Sequence, residues 1–191
     1  GESCLKLEEP EESRKSLMCG RSFGKPLKEL EDIRPALTHF VQNAVTRLWK
    51  YKQATSAITV YLSTNRFRKN IAQRSVSASV EMEATDNVLQ LNAEAQRALE
   101  RAFEYGFEYH KVGVLLHDLV AVKNIPASLF ETKSGIKNSS ELMWAVRKIN
   151  AKFGRYTVAS ASVSGSSDWR ARSKFRSPAF TTCWNELPLV K

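Results

Sequence analysis

Four cations on alternate positions close this chain, Arg170, Arg172, Lys174 and Arg176 within "WRARSKFRSPAFTTCWNELPLVK". An extended chain puts them on one face and Ala171, Ser173 and Phe175 on the other. Such a row suits phosphate or carboxylate oxygens, so it reads as a contact for nucleic acid or for an acidic partner. A plainly solvated face is the competing reading. Trp169 and Trp184 can anchor either arrangement, but a small core within the tail is their expected place.

A second basic region lies upstream. Residues 14 to 74 carry thirteen Lys and Arg against three acids, Glu29, Glu31 and Asp32, whereas "LEEPEE" and the stretch from Glu81 to Asp118 are acidic. The whole chain has 29 Lys and Arg against 20 Asp and Glu, a net charge of +9. Segregation of this kind gives a fold one positive face, the footprint of a polyanion binder.

No catalytic constellation accompanies the charge. His39, His110 and His117 have no second ligand at metal spacing and read as packing or surface histidines, and Glu81 and Glu83 alternate on a strand and read as solvated. The phosphate-loop, dinucleotide, zinc-protease and nucleophile-elbow motifs do not occur. Cys4, Cys19 and Cys183 are odd in number and form no CxxC, so neither a disulfide framework nor a zinc site is expected, and a reducing cytosol is the expected home. No apolar run approaches about 18 residues, so no membrane partner is expected. At 191 residues with 42% apolar and 26% charged, the chain can hold one domain or two small ones. It opens on Gly1 in mid-flow and is expected to be a piece of something larger.

The elements that must position these residues follow from hydrophobic period. "RKSLMCGRSF" alternates as a strand. From Leu30 to Tyr51, Leu30, Ile33, Leu37, Val41, Ala44, Val45 and Leu48 recur at helical spacing, with Pro35 tolerable only in the first turn. "SAITVYLSTN" and "QRSVSASVEME" read as strands joined by the basic connection "RFRKN". A helix from Val88 to Tyr105 can be capped by Thr85 or Asp86 and ended by Gly106. "KVGVLLHDLVAV" is the last strand. The order β-α-β-β-α-β predicts an α+β unit over 1–122, a four-stranded sheet with two helices on one face. The other face stays open and displays Ser16, Ser22, Ser75, Ser77 and Ser79. Residues 123–137 read as a linker holding the apolar island "PASLF". Residues 138–191 read as a small basic domain: a helix in "ELMWAVRKINAKFG" with Leu142, Val146, Ile149 and Phe153 on its apolar stripe and Asn138 and Glu141 as its cap, then the strand-like "RYTVASASVSG". A unit this short either docks on a partner or is partly disordered.

"RKSLMCGRSFGKPL", "LEDIRPALTHFVQNAVTRLWKYK", "YHKVGVLL", "INAKFGRYTV" and the closing "SPAFTTCWNELPLVK" together resemble the C-terminal portion of Y-family translesion DNA polymerases, in particular the UmuC-like branch of SOS mutagenesis and DNA damage tolerance. The resemblance implies that residues 1–122 are a little-finger domain gripping primer–template DNA. By matching position it implies DNA contacts at Arg14, Lys15, Ser16, Arg21 and Ser22, at Thr64, Asn65, Arg66 and Arg68, and at Arg74, Ser75 and Ser77. The palm is absent, so this chain should not polymerise. It implies no cofactor here, the Mg2+ of nucleotidyl transfer belonging to the parent polymerase. "IPASLF" stands where the family carries a sliding-clamp peptide. Leu129 and Phe130 match it, but Pro126 replaces a glutamine, so weak clamp binding or packing on its own domain is implied. The tail resembles the family's small C-terminal domain, for which a UmuD′ dimer or a RecA filament is the implied partner, and Phe180 replaces the family's usual tyrosine. A bacterial, cytoplasmic, nucleoid-associated location follows from the resemblance. From another class, the chain is a protein-interaction module whose basic tail docks on acidic partners, DNA contact being incidental.

Overall fold

The computed structural model describes residues 14–68, 72–125, 133–161, 169–170 and 177–187, with only the backbone of 133–140. Leu129, Phe130, Arg172, Lys174 and Arg176 lie outside the described residues. β1 (Leu17–Leu27) leads into α1 (Leu30–Tyr51), followed by β2 (Gln53–Thr64), β3 (Ser75–Thr85), α2 (Val88–Ala102) and β4 (Tyr109–Ala121). The strands form one antiparallel sheet in the order β1-β4-β2-β3. β1 and β2 therefore run parallel with β4 between them, and β3 and β4 run parallel with β2 between them. The two units point in opposite directions and cross in opposite senses, so right-handed connections return both helices to one face. The expected α+β architecture, two helices on one face of a four-stranded sheet, is the one observed.

Burial follows the expected periods. In α1, Ile33, Leu37, Val41, Ala44, Val45 and Leu48 are fully buried, and they meet Ile58, Val60, Leu62, Val112, Val114 and Leu116 of the two central strands. Pro35 lies in the second turn rather than the first. It forfeits one bond, to the Glu31 carbonyl, and the exposed position of Glu31 lets water take its place. α2 is capped by Asn87, not by Thr85 or Asp86: the Asn87 side chain accepts from the Leu89 amide at 2.9 Å, while the Thr85 hydroxyl accepts from the Asn87 amide.

The tail departs furthest from expectation. α3 (Lys133–Phe153) begins inside the stretch read as linker, so Asn138 sits within the helix and not at its cap. Its expected stripe is turned outward: Leu142 is 50% and Phe153 66% exposed, whereas Met143 is buried. Residues 155–161 form turns and no strand. Gly154 (φ 107) and Tyr156 (φ 69) are left-handed, which reverses the chain, and Asn150 clamps Val158 through both its amide and its carbonyl. Nor do the tryptophans make a core of the tail. Trp169 inserts into the core of the first unit, 5.5 Å from Phe40, and Trp184 is 87% exposed.

Candidate nucleic-acid interface

The pairing register sets four rows across the open face of the sheet. The first is Ser22, Lys111, Ser63, Ser75; the second is Gly20, Gly113, Tyr61, Ser77. Met18, Leu115, Thr59, Ser79 make the third, and His117, Ala57 and Glu81 belong to the fourth. Small hydroxyls line this face, and its charges are polarised along the strands. Lys111 lies at the end nearest the β2–β3 connection, where Arg66 and Arg68 are also exposed, while Glu81 and Glu83 lie at the other end. A phosphate backbone crossing the sheet meets hydrogen-bond donors and cations at one end and repulsion at the other.

The second row is flat because of its glycines. A Cβ on Gly113 would fall 2.2 Å from the Tyr61 hydroxyl oxygen, and one on Gly20 would fall 2.4 Å from the same atom. The Tyr61 ring thus lies across both residues instead of standing out of the sheet. Its hydroxyl is buried with no hydrogen-bond partner among the described residues, and burial pushes the phenol above its ordinary pKa. The Lys111 ammonium sits 5.5 Å from the ring centre, within cation–π range.

In the third and fourth rows, Thr59 Oγ1 lies 2.8 Å from Ser79 Oγ and 3.0 Å from His117 Nε2, and His117 Nδ1 lies 3.2 Å from Asp118 Oδ2. By sequence alone His117 reads as a packing or surface histidine. A hydroxyl, imidazole and carboxylate in line have the elements of a nucleophile triad. Here they lie on a sheet surface, outside the clefts lined by α1 and the tail, with the hydroxyl shared by Ser79. The arrangement fixes side chains on the face.

The residues expected to contact DNA are not gathered in one patch. Ser22, Ser75 and Ser77 share the open face. Ser16 and Lys15 are exposed just ahead of β1. Arg14 sits at the opposite end of the sheet from Arg66, with its guanidinium over the Tyr51 ring at 5.1 Å and its carbonyl accepting from Gln53. Thr64 is buried and closes the hairpin, its hydroxyl accepting from the Arg74 amide at 2.8 Å. Asn65 is spent on a turn, accepting from the Phe67 amide at 3.0 Å. Arg66 and Arg68 flank Phe67, which is 82% exposed, and the Arg66 guanidinium lies over that ring. Arg74 turns toward the helix layer, donating to both Glu104 oxygens at 2.6 and 2.7 Å. That pairing holds the Glu104 carboxyl below the usual carboxylate range and raises Arg74. Arg21 and Arg170 meet on the α1 side, around the β1 edge from the open face.

Sequence reasoning missed Lys111, Tyr61, Thr59 and Ser63. The alternation of "KVGVLLH" already sets Lys111, Gly113, Leu115 and His117 against Val112, Val114 and Leu116. Among the described residues no three His, Cys, Asp or Glu side chains gather as a metal ion needs. No helix among them is long and apolar enough to cross a membrane.

The impB/mucB/samB family C-terminal domain matches residues 14–129, and a domain of unknown function matches residues 140–190. Protein UmuC of Salmonella typhimurium is 29% identical over 192 residues, covering 100% of this chain and 46% of its own length. Protein ImpB of Salmonella typhimurium is 27% identical, with 100% and 45% covered. MucB of Escherichia coli is 26% identical over 190 residues, again with 100% and 45% covered. The chain thus spans about half the length of these curated relatives. Among solved structures, the insertion ternary complex of Dbh DNA polymerase aligns with a TM-score of 0.44 at 14% identity, over 60% of this chain and 32% of that one. DinB from Sulfolobus solfataricus aligns with a TM-score of 0.46 at 12% identity, over 56% and 29%.

Proposed function

This chain belongs to the impB/mucB/samB C-terminal domain family, the C-terminal region of UmuC-like Y-family polymerases, and from that premise we propose that it is the non-catalytic DNA-gripping part of an error-prone translesion polymerase. The observation that carries the reading is the open face: small hydroxyls in register, Lys111 among them, and Arg66 and Arg68 beside them at the hairpin. Such a surface holds phosphates and sugars without reading bases, which suits an enzyme that must accept damaged templates. Parts of the molecule far from the face contribute rigidity, since the two central strands are clamped between their neighbours and packed on α1.

The test is a titration of the full chain with primer–template duplex across a salt series. Binding with log K falling at about −0.9 per phosphate neutralised is expected, and Lys111→Ala or Arg66→Ala should each shallow the slope by about one phosphate for any duplex sequence. Unchanged slopes in both variants would sink the reading.

A second role is favoured for the tail by one observation, the outward apolar stripe of Leu142, Ile149 and Phe153. Apolar side chains left in water on one helix face suit a protein partner, with a UmuD′ dimer, a RecA filament or the sliding clamp as candidates. Replacing Leu142 and Phe153 by Ser should abolish assembly with that partner while leaving duplex affinity unchanged; loss of both together would refute it.

A further inference from the structure

Away from the open face, a cleft of about 630 Å³ lies between β1, α1 and the tail. Arg21 of β1, Arg47 of α1, Arg155 just past α3 and Arg170 all line it, together with His39, and among the described residues no carboxylate does. None of the four arginines has an ion-pair partner among the described residues. Four guanidinium groups converging with no acid among the described residues repel one another, and an anion in the space between them would relieve that repulsion.

The convergence is built. Tyr156 stacks on His39 at 5.1 Å, and its hydroxyl donates to Asn43. Trp169 is buried against His39 and Phe40 at 5.3 and 5.5 Å. Each anchor carries an arginine as its chain neighbour, so docking Tyr156 and Trp169 brings Arg155 and Arg170 to Arg21 and Arg47. Arg47 donates one Nη to the Met18 carbonyl at 3.3 Å, and Arg170 lies over the Trp169 ring at 5.6 Å, so both guanidiniums are positioned. Burial first, and then the charges of Arg170 and Arg21, hold the His39 imidazole below its ordinary pKa.

We infer that this cleft is a second phosphate site, holding the sugar–phosphate backbone of a single nucleic-acid strand that leaves the open face around the β1 edge. Nucleic acid is favoured over an acidic peptide by continuity. Met18 and Gly20 belong to the rows of the open face and also line the cleft, so a strand crossing the hydroxyls passes the edge without leaving the basic surface. As an edge strand, β1 also offers outward backbone amides there. Arginine forks match phosphate oxygens bidentately. The ligand class rests on the function proposed above, and the test separates the two.

The full chain is titrated with a single-stranded oligothymidylate and, separately, with a blunt duplex, as wild type and as the double variant R155Q/R170Q. The double variant should lose about tenfold or more in single-strand affinity and about 1.4 in salt slope, at about −0.7 for each of two phosphates, while blunt-duplex affinity stays within about twofold. Unchanged single-strand binding overturns the site. Equal, variant-sensitive binding of polyglutamate also overturns it, in favour of an acidic protein segment. If Lys111→Ala leaves duplex binding intact but the double variant still loses the single strand, the sheet reading fails and the cleft stands. Should the double variant not fold, the His39 ring resonances of the wild type decide: oligothymidylate must raise the His39 pKa, and an unmoved titration refutes the site.

Discussion

Gly113→Ala isolates the packing that keeps the open face flat. The three heavy atoms nearest a Cβ at Gly113 all belong to Tyr61, at 2.2, 2.3 and 2.7 Å. Contacts below about 3 Å do not persist, so the ring must tilt out of the sheet or leave its rotamer. Overpacking of this order costs about 1–3 kcal/mol, which for a chain of this size lowers Tm by roughly 2–12 °C. Gly113 is not left-handed, so alanine suits its backbone once the ring is gone. In a Tyr61→Ala background the same substitution should therefore stabilise by about 0.4–1 kcal/mol, through the lower entropy of the unfolded chain. The two effects differ in sign, and the coupling in a double-mutant cycle should reach about 1.4–4 kcal/mol. Urea denaturation of the four proteins measures it. An equal cost for Gly113→Ala in both backgrounds would refute the argument that Tyr61 lies on Gly113, and with it the account of the face.

The Tyr61 hydroxyl is buried with no partner among the described residues, so Tyr61→Phe should leave stability unchanged or raise it, by up to the roughly 1–3 kcal/mol that attends an unsatisfied polar group; a clear loss of stability would reveal a bond to that hydroxyl. Glu104→Gln frees Arg74 from its bidentate partner, and duplex affinity should rise with a salt slope steeper by about one phosphate; no change would mean that Arg74 cannot reach DNA. His39, facing Arg21 and Arg170 and stacked on Tyr156, has a folded pKa below its ordinary 6.5. The unfolded chain then binds the proton first, so stability is full above pH 6.5 and falls as the pH drops below it. Denaturant midpoints between about pH 8 and 5 should show this fall, and His39→Gln should flatten it.

What local pattern can carry was legible in the sequence. The bounds of α1, Leu30–Tyr51, are those of its hydrophobic stripe, and the alternation of β3 separates Val76, Ala78 and Val80 from Ser75, Ser77 and Ser79 as the structure does. Side-chain period is a property of neighbours in the chain, and burial of one face enforces it. The rows of the open face were not legible, because they depend on β4 inserting between β1 and β2, a pairing of residues such as Gly20 and Gly113 that no local rule specifies. Arg74 looked free until Glu104, thirty residues on, came beside it. The tail shows the difference most clearly. α3 carries an apolar stripe that sequence reasoning turns inward, yet α1 already presents Trp49, with Asp86 beside it, and His39 and Asn43 where Tyr156 docks. Arg147, stacked on Trp49 at 4.5 Å and paired with Asp86, therefore faces the body of the fold, and Leu142 and Phe153 face water. Composition and period determined a basic α+β chain with one polar sheet face. Only the tertiary structure decided which cations stand free to meet an anion, because charge pairing, like strand pairing, is settled between residues far apart in the chain.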